Sequence, residues 1–492
     1  MPSGLLLSGL RRARDRQPER VAVRCGTPEE GWVETTWAQL YDAARSVAAR
    51  SVAARAHATG ATAPVVVVVD GTAESIATMV GLVAAGVDVL LLEAHSSYLS
   101  DPGSPVHTVR PRIVVGPPGL AGPVGAGHET PAGVRYETYE RFRAPAGGDP
   151  PTGTRAGEIL QLTSGSTGEP RITRQPLSHV LTGGRLYRRL FAITERDTVL
   201  VAVPVAHSYG LAGLCSALLS GATLVTLPRF SLRTLVAGLY DGATILLGTP
   251  LLYRLLTPIL SGRGPTPHLR TALSAGGPMP ADTADITAAL GTPVRQIYGT
   301  TEAGLIACVP SATTAWPPGS VGFAAPGVTL RLDGADGTGR LSVRTPMMFL
   351  GYHGSDRPVV TPDGFYDTGD LVRVDPDGFV FVLGRKESVV NVGGRKVGPT
   401  RIERLLLDHC GVRDAVVFGV ERADHEQEMH AALVLAPGTR VDEVLEFCRS
   451  QLQPYEVPHR VHVLDRLPRN GMGKVDRGQL VAAVEHGQLA RS

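Results

Sequence analysis

Leu162-Thr163-Ser164-Gly165-Ser166-Thr167-Gly168-Glu169-Pro170-Arg171 is the stretch around which the rest of this chain is arranged. The apolar run at 158–162 predicts a strand, so the stretch is a loop that leaves a strand. Its glycines permit backbone conformations that other residues resist, and its hydroxyl side chains stand beside backbone N–H groups. Such a loop can bind phosphate oxygens, and a Ser/Gly surface turn is the alternative interpretation. It is not a Walker loop, because GxxxxGKS/T occurs nowhere in the chain.

Strand and helix patterns alternate on both sides of this loop. Five consecutive valines at 65–69 favour the extended state, and a helix over 73–85 and a strand over 87–92 are predicted next. The same alternation from 177 to 297 predicts an α/β fold with parallel-rich sheets and helices. Between 316 and 383 apolar and polar residues alternate, which predicts antiparallel strands. Beyond 384 a compact unit with both helices and strands is predicted.

The length of 492 residues predicts two or three domains. The 48 basic and 46 acidic residues leave a net charge of +2, so neither nucleic acid nor a membrane surface is an expected partner. The five cysteines lie far apart and no CxxC occurs, which argues against a disulfide framework or a zinc site. A reducing cytoplasm fits this cysteine usage, and no signal peptide is predicted.

A second polar segment, Gln296–Gly304, follows a predicted strand. Ligands bind at the carboxyl ends of strands in sheets of this kind. We expect Tyr298 to stack on a base, Thr301 to bond a phosphate, and Glu302 to hold Mg²⁺, which takes oxygen ligands. A polar turn with a solvated glutamate is the alternative.

Two further segments carry candidate groups. In Phe365–Leu371 the Asp370 carboxylate could accept hydrogen bonds from two ribose hydroxyls, and Arg385 downstream could reach the same hydroxyls or a phosphate. In Pro468–Arg477, Lys474 stands on a glycine-flanked loop and could bring a cation to an oxyanion in a transition state. A Gly-Asp turn and a solvated surface lysine are the respective alternatives.

In this order and spacing the segments resemble the adenylate-forming superfamily of acyl-CoA synthetases, stand-alone adenylation domains and firefly luciferase. The motifs TSGSTGEPR, YGTTE, YDTGDL, GRKESVVNVGGRKVGPTRIE and NGMGKVDR carry the resemblance, which covers essentially the whole chain. It implies an N-terminal AMP-binding domain over 1–384 that includes a small distorted β-barrel subdomain. It also implies a hinge at 385–388 and a small mobile C-terminal α+β domain over 389–492.

The resemblance implies a two-step reaction with ATP and Mg²⁺. A carboxylate attacks the α-phosphate of ATP to give acyl-AMP and pyrophosphate, and a thiol of CoA or of a carrier-protein phosphopantetheine then takes the acyl group. Lys474 would bridge the carboxylate and the α-phosphate in the first step. The other implied contacts are binding of the β- and γ-phosphates by Thr163, Ser164, Gly165, Ser166, Thr167 and Gly168; adenine stacking by Tyr298, with Gly276, Gly277 and Gly299 beside it; phosphate and Mg²⁺ binding by Thr301 and Glu302; and ribose binding by Asp370 and Arg385.

The family turns its C-terminal domain about the residue two places after the Gly-Arg pair, which here is Glu387, where Asp or Lys is commoner. Turning would withdraw Lys474 and bring the face at 390–396 to the site for thioester formation. Two positions depart from the family pattern. Asn391 stands where many acyl-CoA enzymes carry Lys, which bears on CoA as the acceptor. Arg171 stands where Lys is usual, which keeps the charge although the two side chains are not equivalent.

The segment Val203–Gly210 matches the one that lines the acid pocket of the family. His207 stands where acyl- and aryl-activating members carry an aromatic residue or a histidine near the carboxylate; a packing histidine is the alternative. Enzymes for α-amino acids place Asp where this chain has Ser208, and an unpaired buried ammonium would be costly, so an α-amino acid is not expected. An aryl acid is the first expectation and an aliphatic acid the second. The other expected wall residues are Tyr209, Gly210, Thr249, Ser274, Ala275 and Thr300, with Gly210 and Ala275 leaving room for a ring or a chain.

Other functions stay open at this point. One keeps adenylation but passes the acyl group to an amine, or activates a small oxyanion such as nitrite, as superfamily members that diazotise aryl amines do. Another is an inactive binding protein on the same fold, against which the intact Lys474, Glu302 and Asp370 argue. No residue favours a luciferase-type oxygenation.

Overall fold

The computed structural model describes residues 5–27, 31–56, 63–94, 96–99, 104–120, 134–142, 156–163, 171–279, 283–334, 336–355, 357–385, 390–392, 395–421, 427–469 and 475–488. The α-helices in these ranges are α1 (Leu5–Arg16), α2 (Trp37–Ala56), α3 (Ala73–Ala84), α4 (Leu177–Leu190), α5 (Ser208–Ser220), α6 (Leu232–Tyr240), α7 (Pro250–Ser261), α8 (Ala284–Leu290), α9 (Pro399–Asp408), α10 (Val441–Gln451) and α11 (Arg477–Glu485).

The strands in the same ranges are β1 (Val21–Thr27), β2 (Gly31–Thr36), β3 (Val65–Val68), β4 (Val89–Leu92), β5 (Ile113–Gly116), β6 (Arg135–Thr138), β7 (Glu158–Thr163), β8 (Arg171–Pro176), β9 (Thr198–Val201), β10 (Thr223–Thr226), β11 (Ile245–Gly248), β12 (Thr271–Ser274), β13 (Val294–Thr300), β14 (Gly304–Cys308), β15 (Phe323–Ala324), β16 (Thr329–Asp333), β17 (Thr338–Arg344), β18 (Gly351–Tyr352), β19 (Tyr366–Val374), β20 (Val380–Arg385), β21 (Val390–Val392), β22 (Arg395–Val397), β23 (Val412–Glu421), β24 (Gln427–Leu435) and β25 (Arg460–Val463). Short 3-10 helices lie at Ser97–Leu99, Pro105–Val109 and Pro454–Glu456.

The larger of two mixed sheets has the described strands in the order β15-β14-β13-β12-β11-β9-β10-β1-β2. Neighbours from β13 to β1 are parallel, while β13–β14, β14–β15 and β1–β2 are antiparallel pairs at the two edges. Strand β11, in the middle of this sheet, is apolar and buried at every position, as is typical of strands that are covered on both faces.

The second mixed sheet has the described order β18-β8-β7-β4-β3-β5-β6. Its strands from β7 to β6 are parallel, and β7 continues through 164–170, which lie outside the described residues, to the antiparallel β8. Thr163 is the last residue of β7, and Glu93 directly follows β4, the neighbouring strand. Parallel strands end at the same edge, so both residues lie at one edge of this sheet.

Close helix packing fills the space between the sheets. Helices α2 and α3 approach closely because Gly81 has no side chain: a Cβ there would lie 2.5 Å from the backbone oxygen of Ala44. Helices α4 and α5 approach in the same way at Gly184, where a Cβ would lie 2.8 Å from Cys215 Cβ. Substitution at either glycine would therefore push two helices apart.

The remaining strands form smaller antiparallel and mixed units. β16, β17, β19 and β20 make an antiparallel sheet, as the alternation at 316–383 predicted. In the C-terminal part, β23, β24 and β25 pack with α9 and α10 around a separate apolar core that includes Val417, Met429 and Val444. The α/β fold class is confirmed, with large mixed sheets, an antiparallel sheet and a small C-terminal α+β unit.

Some elements were not predicted from the sequence. The N-terminal α1, β1 and β2 were missed, because β1 finds its partner far along the chain, with Val23 opposite Leu224 of β10. The segment Gln296–Gly304 was expected to follow a strand, but its first residues belong to β13, which runs to Thr300 because β14 folds back on it. Within the described ranges, no helix combines the length and the apolar composition that a bilayer crossing requires.

Candidate active site

A cleft of about 1880 Å³ opens where strands of both mixed sheets end. Strands β19 and β20, helix α9 and the start of β23 close its other side. Most of the described residues expected to bind ATP or the acid line this one cleft. They are Thr163, His207, Ser208, Tyr209, Thr249, Ala275, Gly276, Gly277, Tyr298, Gly299, Thr300, Thr301, Glu302, Asp370 and Arg385.

Asp370 joins two of the expected nucleotide contacts. It is buried on β19, and one carboxylate oxygen accepts a hydrogen bond of 2.5 Å from the Tyr298 hydroxyl. The other accepts one of 3.2 Å from Arg385 Nε, because the β19–β20 register sets Asp370 opposite Arg385. A ring from β13 and a guanidinium from β20 therefore meet at one carboxylate.

The charges of this cluster reinforce each other. Burial raises the pKa of Tyr298 well above its ordinary value, and the negative charge of Asp370 raises it further. Burial alone would lower the pKa of Arg385, but the surrounding groups, Asp370 first and then Tyr298, Glu302 and Tyr366, together outweigh it, so the pKa ends above its ordinary value. Tyr298 therefore keeps its proton and Arg385 its charge, and both donate to Asp370.

Glu302 has a fixed carboxylate at the floor of the cleft. Its Oε1 accepts a hydrogen bond of 3.0 Å from the Tyr352 hydroxyl, and the Arg171 guanidinium lies 4.9 Å from the centre of the Tyr352 ring. Burial first, and then the charge of Glu302, raise the pKa of Tyr352 to about 12, so the phenol stays a donor. The tyrosine uses only part of the acceptor capacity of Glu302.

Thr301, in the segment Gln296–Gly304, lies next to Ser208 of the acid-pocket segment Val203–Gly210. The hydroxyls of Ser208 and Thr301 lie 3.5 Å apart, and Gln175 donates a hydrogen bond to the backbone oxygen of Thr301. Ser208 is the first residue of α5, with His207 at its N-cap. The positive end of the α5 dipole therefore points at this part of the cleft and favours anions there.

Glu93 lies in the site although sequence reasoning did not single it out. It lines the cleft, and its carboxylate makes a short hydrogen bond with Nε2 of His207. Beside it, Gln161 donates a hydrogen bond of 2.7 Å to the backbone oxygen of Ala206. A carboxylate directly after a buried strand was the available signal, because strand ends face ligands in such sheets.

The hydroxyl groups of several expected wall residues are already hydrogen-bonded within the protein. The Thr249 hydroxyl caps α7, the Thr300 hydroxyl accepts from the Ala303 N–H at 3.0 Å, and the Tyr209 hydroxyl donates to the Leu273 oxygen at 3.0 Å. Gly276 has φ +92°, which favours glycine, and leaves the backbone open to the cleft. These residues therefore contribute to the shape of the cleft wall and offer few hydrogen bonds to a ligand.

Two expected wall residues, Gly210 and Ser274, are not among the residues that line the cleft. The open side of Gly210 faces the backbone of Pro204, where a Cβ would lie 2.3 Å from the oxygen, so this glycine serves packing and leaves no room for a ring. Ser274 is 1% exposed at the end of β12, and its hydroxyl has no hydrogen-bond partner within the described part of the chain.

The part of the cleft that is lined by α4 and α5, here called the acid branch, was not predicted. Along α4 it is lined by His179, Val180, Gly183 and Tyr187, which share one helix face. Across the branch stand Leu211, Ala212, Gly304, Leu305 and Met347. A Cβ on Gly183 would lie 3.7 Å from the Met347 sulfur, an ordinary contact. In the sequence this face resembles any apolar helix stripe, so no local signal marked it.

Other expected site residues lie outside the described residues. They are Ser164, Gly165, Ser166, Thr167, Gly168, Glu387 and Lys474. For Asn391 the backbone in β21 is described, but not the side chain. The roles given to all of these stay predictions.

Comparison with known proteins decides the family. The profile described as AMP-binding enzyme matches residues 136–353, and the one described as AMP-binding enzyme C-terminal domain matches 401–474. The 2-succinylbenzoate–CoA ligase of Bacillus subtilis (strain 168) is 30% identical over 332 residues, which cover 65% of this chain and 68% of that protein. The chain belongs to the adenylate-forming acid–CoA ligases. The feruloyl-CoA synthase of Amycolatopsis sp is 31% identical over 345 residues, 65% of this ligase and 69% of that protein.

Solved structures agree over nearly the whole ligase. ATP-bound MatB from Rhodopseudomonas palustris matches with a TM-score of 0.81 at 26% identity, over 97% of this ligase and 99% of that chain. The o-succinylbenzoate coenzyme A synthetase from Bacillus subtilis, in complex with ATP and magnesium ion, matches with a TM-score of 0.78 at 25% identity, over 96% and 98%. The resemblance to adenylate-forming enzymes is thereby confirmed.

The variant Glu93→Gln is expected to raise KM for the acid ~3–10-fold, with KM for ATP unchanged. A hydrogen bond to a charged group contributes ~1.5–3 kcal/mol, and less here because both side chains are partly exposed. Steady-state kinetics with each substrate varied would measure it. Glu34→Gln, which removes an exposed partner of Arg24 away from the cleft, is the matched control. Equal changes in both KM values would contradict a specific role for Glu93.

Proposed function

We propose that this ligase activates a carboxylic acid as acyl-AMP, releases pyrophosphate, and passes the acyl group to a thiol of CoA or of a carrier protein. The observation that carries the proposal is the meeting of Tyr298, Asp370 and Arg385 in the same cleft as Thr301 and Glu302. These are the positions that the family motifs assign to adenosine and its phosphates. The relatives named as CoA ligases support the thiol step.

Different residues of the cleft would bind the ribose, the base and the phosphates of the nucleotide. Asp370 has acceptor oxygens for ribose hydroxyls, and Arg385 supplies a charge beside them. The Tyr298 ring, held by its hydroxyl, provides a surface for the adenine base. Thr163 stands at the entrance to the loop 164–168, to which we assign the β- and γ-phosphates. The arrangement holds the leaving pyrophosphate while the α-phosphate faces Thr301.

The donor set also fits Mg²⁺ bound together with ATP. Glu302 offers one carboxylate, and within the described residues no group of three or more acidic, histidine or cysteine side chains gathers to form a closed metal cage. Mg²⁺ typically takes one or two carboxylates and completes its shell with water and phosphate oxygens. When bound, the ion would neutralise phosphate charge. Tyr352 orients the Glu302 carboxylate that would hold it.

We assign the acid to the acid branch, the part of the cleft that is lined by α4 and α5 and shares the cleft with Thr301 and Ser208. An aryl acid is the first candidate, because the branch is lined by small and apolar side chains such as Val180, Gly183 and Ala212. An aliphatic acid is the second. Ser208 provides no carboxylate for the ammonium of an α-amino acid, and the nearby Glu93 is engaged by His207. Relatives named for succinylbenzoate and ferulate support an acid that contains a ring.

The second step requires the C-terminal unit to move, and we assign the turning point to Glu387. Lys474 would act in the first step by neutralising the repulsion between the carboxylate and the α-phosphate. The face at 390–396 would then replace it. The wall formed by this unit carries Arg404, Arg413 and Arg469, which suit the phosphates of CoA.

Pyrophosphate release across a panel of aryl and fatty acids, with CoA present or absent, tests this function. We expect release with at least one acid, faster with aryl acids than with fatty acids, and formation of a thioester when CoA is added. No release with any acid would sink the proposal. Release without thioester formation would leave adenylation standing and point to a carrier-protein thiol or another acceptor.

The variant Gly183→Ala tests the assignment of the acid branch. An added methyl group makes only an ordinary contact with Met347, and Ala is favoured over Gly in a helix by ~0.5–1 kcal/mol, so the fold should gain stability. The branch narrows, so kcat/KM for bulky aryl acids is expected to fall ~10-fold relative to small acids, by loss of fit in the pocket.

The matched control for this variant is Gly9→Ala. Gly9 lies within α1, and a Cβ there would meet Leu219 Cδ2 at 3.8 Å and Arg12 Nη2 at 4.0 Å, which are ordinary contacts as at Gly183, but Gly9 lies away from the cleft. Thermal unfolding should show a similar gain for both variants. Acid selectivity should change only with Gly183→Ala; an unchanged ratio of bulky to small acids would contradict the assignment.

A further inference from the structure

Tyr187 presents an unusual hydroxyl at the inner part of the acid branch. The residue is 3% exposed, yet it lines the cleft. Within the described part of the chain its hydroxyl has no hydrogen-bond partner, although its ring packs edge-on against Phe191 at 5.5 Å. Burial raises its pKa above the ordinary value, so the O–H is retained. The hydroxyl is not among the enclosed polar atoms of the described residues and is open to the cleft, where a bound ligand can supply a partner.

Other buried tyrosines near the cleft are satisfied by the protein. The hydroxyls of Tyr209 and Tyr253 both donate to the Leu273 oxygen, at 3.0 Å and 2.7 Å, and that of Tyr298 donates to Asp370. Tyr187 differs from these three because its hydroxyl is available to a ligand bound in the branch. We therefore expect the acid itself to supply the hydrogen-bond partner of the Tyr187 hydroxyl.

The position of Tyr187 along α4 fixes where that partner must be. His179 is the first residue of the cleft-lining face of α4, and its Nδ1 donates a hydrogen bond of 2.6 Å to the Met348 oxygen; Gln175, just before α4, donates to the backbone oxygen of Thr301. Tyr187 is two turns further along α4, which corresponds to ~12 Å at 1.5 Å per residue. Side chains on one helix lean in the same direction, so this separation is kept between them. Between them the wall is formed by Val180 and Gly183.

We propose that the acid taken by this ligase is elongated and carries a hydrogen-bonding group, a hydroxyl or an amine, at the end distal to its carboxylate, where Tyr187 binds it. Tyr187 is thus a specificity-determining residue. The inference rests on the proposed adenylation function and deepens it. A phenol both donates and accepts, so a distal hydroxyl or amine satisfies it, whereas an apolar end would leave Tyr187 unpaired.

Matched acids and a single-atom variant test the inference. Pyrophosphate release is measured with 4-hydroxycinnamate against cinnamate, and with the shorter 4-hydroxybenzoate against benzoate. The wild-type enzyme should prefer the hydroxylated cinnamate by ~10-fold or more in kcat/KM, because a site built to bond a hydroxyl discriminates strongly against its loss. The shorter pair should show little preference, since its hydroxyl falls short of Tyr187.

The variant Tyr187→Phe removes only the hydroxyl. It should abolish the preference within the cinnamate pair, because the hydrogen bond to the hydroxylated acid is lost and an apolar ring end no longer faces an unpaired hydroxyl. Tyr41→Phe, at a buried tyrosine outside the cleft, should leave the preference intact. A preference that survives Tyr187→Phe overturns the inference.

The outcomes separate this inference from the function on which it rests. Release of pyrophosphate with both cinnamates at equal rates by the wild-type enzyme overturns the role of Tyr187 and leaves adenylation intact. Absence of release with every acid overturns adenylation. The wild-type comparison needs no variant, so it decides the matter even where Tyr187→Phe lowers the yield of folded protein.

Discussion

Replacing Lys474 by alanine is expected to lower pyrophosphate release from ATP and acid by ~10²–10³-fold or more, because the cation that offsets the repulsion of two anions is lost. Thioester formation from supplied acyl-AMP and CoA should be largely spared, since the carboxylate and the α-phosphate are already joined in that substrate. Two assays on one preparation, pyrophosphate release and thioester formation, measure the split. Equal loss in both would refute the role given to Lys474.

The chain supplies its own controls for this variant. Lysine occurs only at 386, 396 and 474, and the other basic residues are arginines. Lys396→Ala removes the same charge from the face assigned to the second step. It should therefore spare pyrophosphate release. Loss of pyrophosphate release in both variants would indicate a general effect of charge in the C-terminal part and would contradict a specific bridge by Lys474.

The variant Asp370→Asn is expected to raise KM for ATP ~10–100-fold, with a smaller effect on KM for the acid. The carboxylate lies at the centre of the hydrogen bonds from Tyr298 and Arg385, and hydrogen bonds to charged groups contribute ~1.5–3 kcal/mol each. An amide keeps the shape but can accept through only one atom. Initial-rate kinetics and direct ATP binding, for example by calorimetry, would measure the loss.

A second aspartate–arginine pair on the same part of the chain is the control. Asp363 pairs with Arg331 at 2.5 Å, but both are exposed and neither lines the cleft. Exposed ion pairs contribute ~0–1 kcal/mol, so Asp363→Asn should leave KM for ATP unchanged. If Asp370→Asn alters stability but not KM for ATP, the carboxylate serves the fold and not the nucleotide.

The sequence predicted the parts of the fold that depend on local pattern. The valine run of β3, the helix α3 and the later alternation were sufficient for an α/β class, because periodicity and β-propensity act within a few residues. The hairpin β1–β2 was not found, because its place is decided by pairing with β10, about 200 positions away, and no local pattern carries that information.

The residues of the candidate site likewise fall into those that a sequence motif predicted and those that it did not. Tyr298, Glu302 and Asp370 stand in recognisable motifs, and the fold brings them into one cleft. Glu93 and Tyr187 stand in no motif, and their importance comes from distant partners: Glu93 meets His207 across 114 positions. A glycine in a motif, such as Gly210, offers two interpretations, room for a ligand or close approach of the backbone, and the sequence does not distinguish them, whereas in the structure its open side faces the Pro204 backbone.

The two glycines Gly183 and Gly210 also bear on how such an enzyme can change its substrate over generations. At Gly210 any side chain collides with Pro204, so that position is closed to mutation whatever acid is selected. At Gly183 the first step, to alanine, costs no collision and adds helix stability. That surplus can absorb later destabilising changes. Laboratory evolution toward other acids is therefore expected to accumulate mutations on α4 before it touches the start of α5.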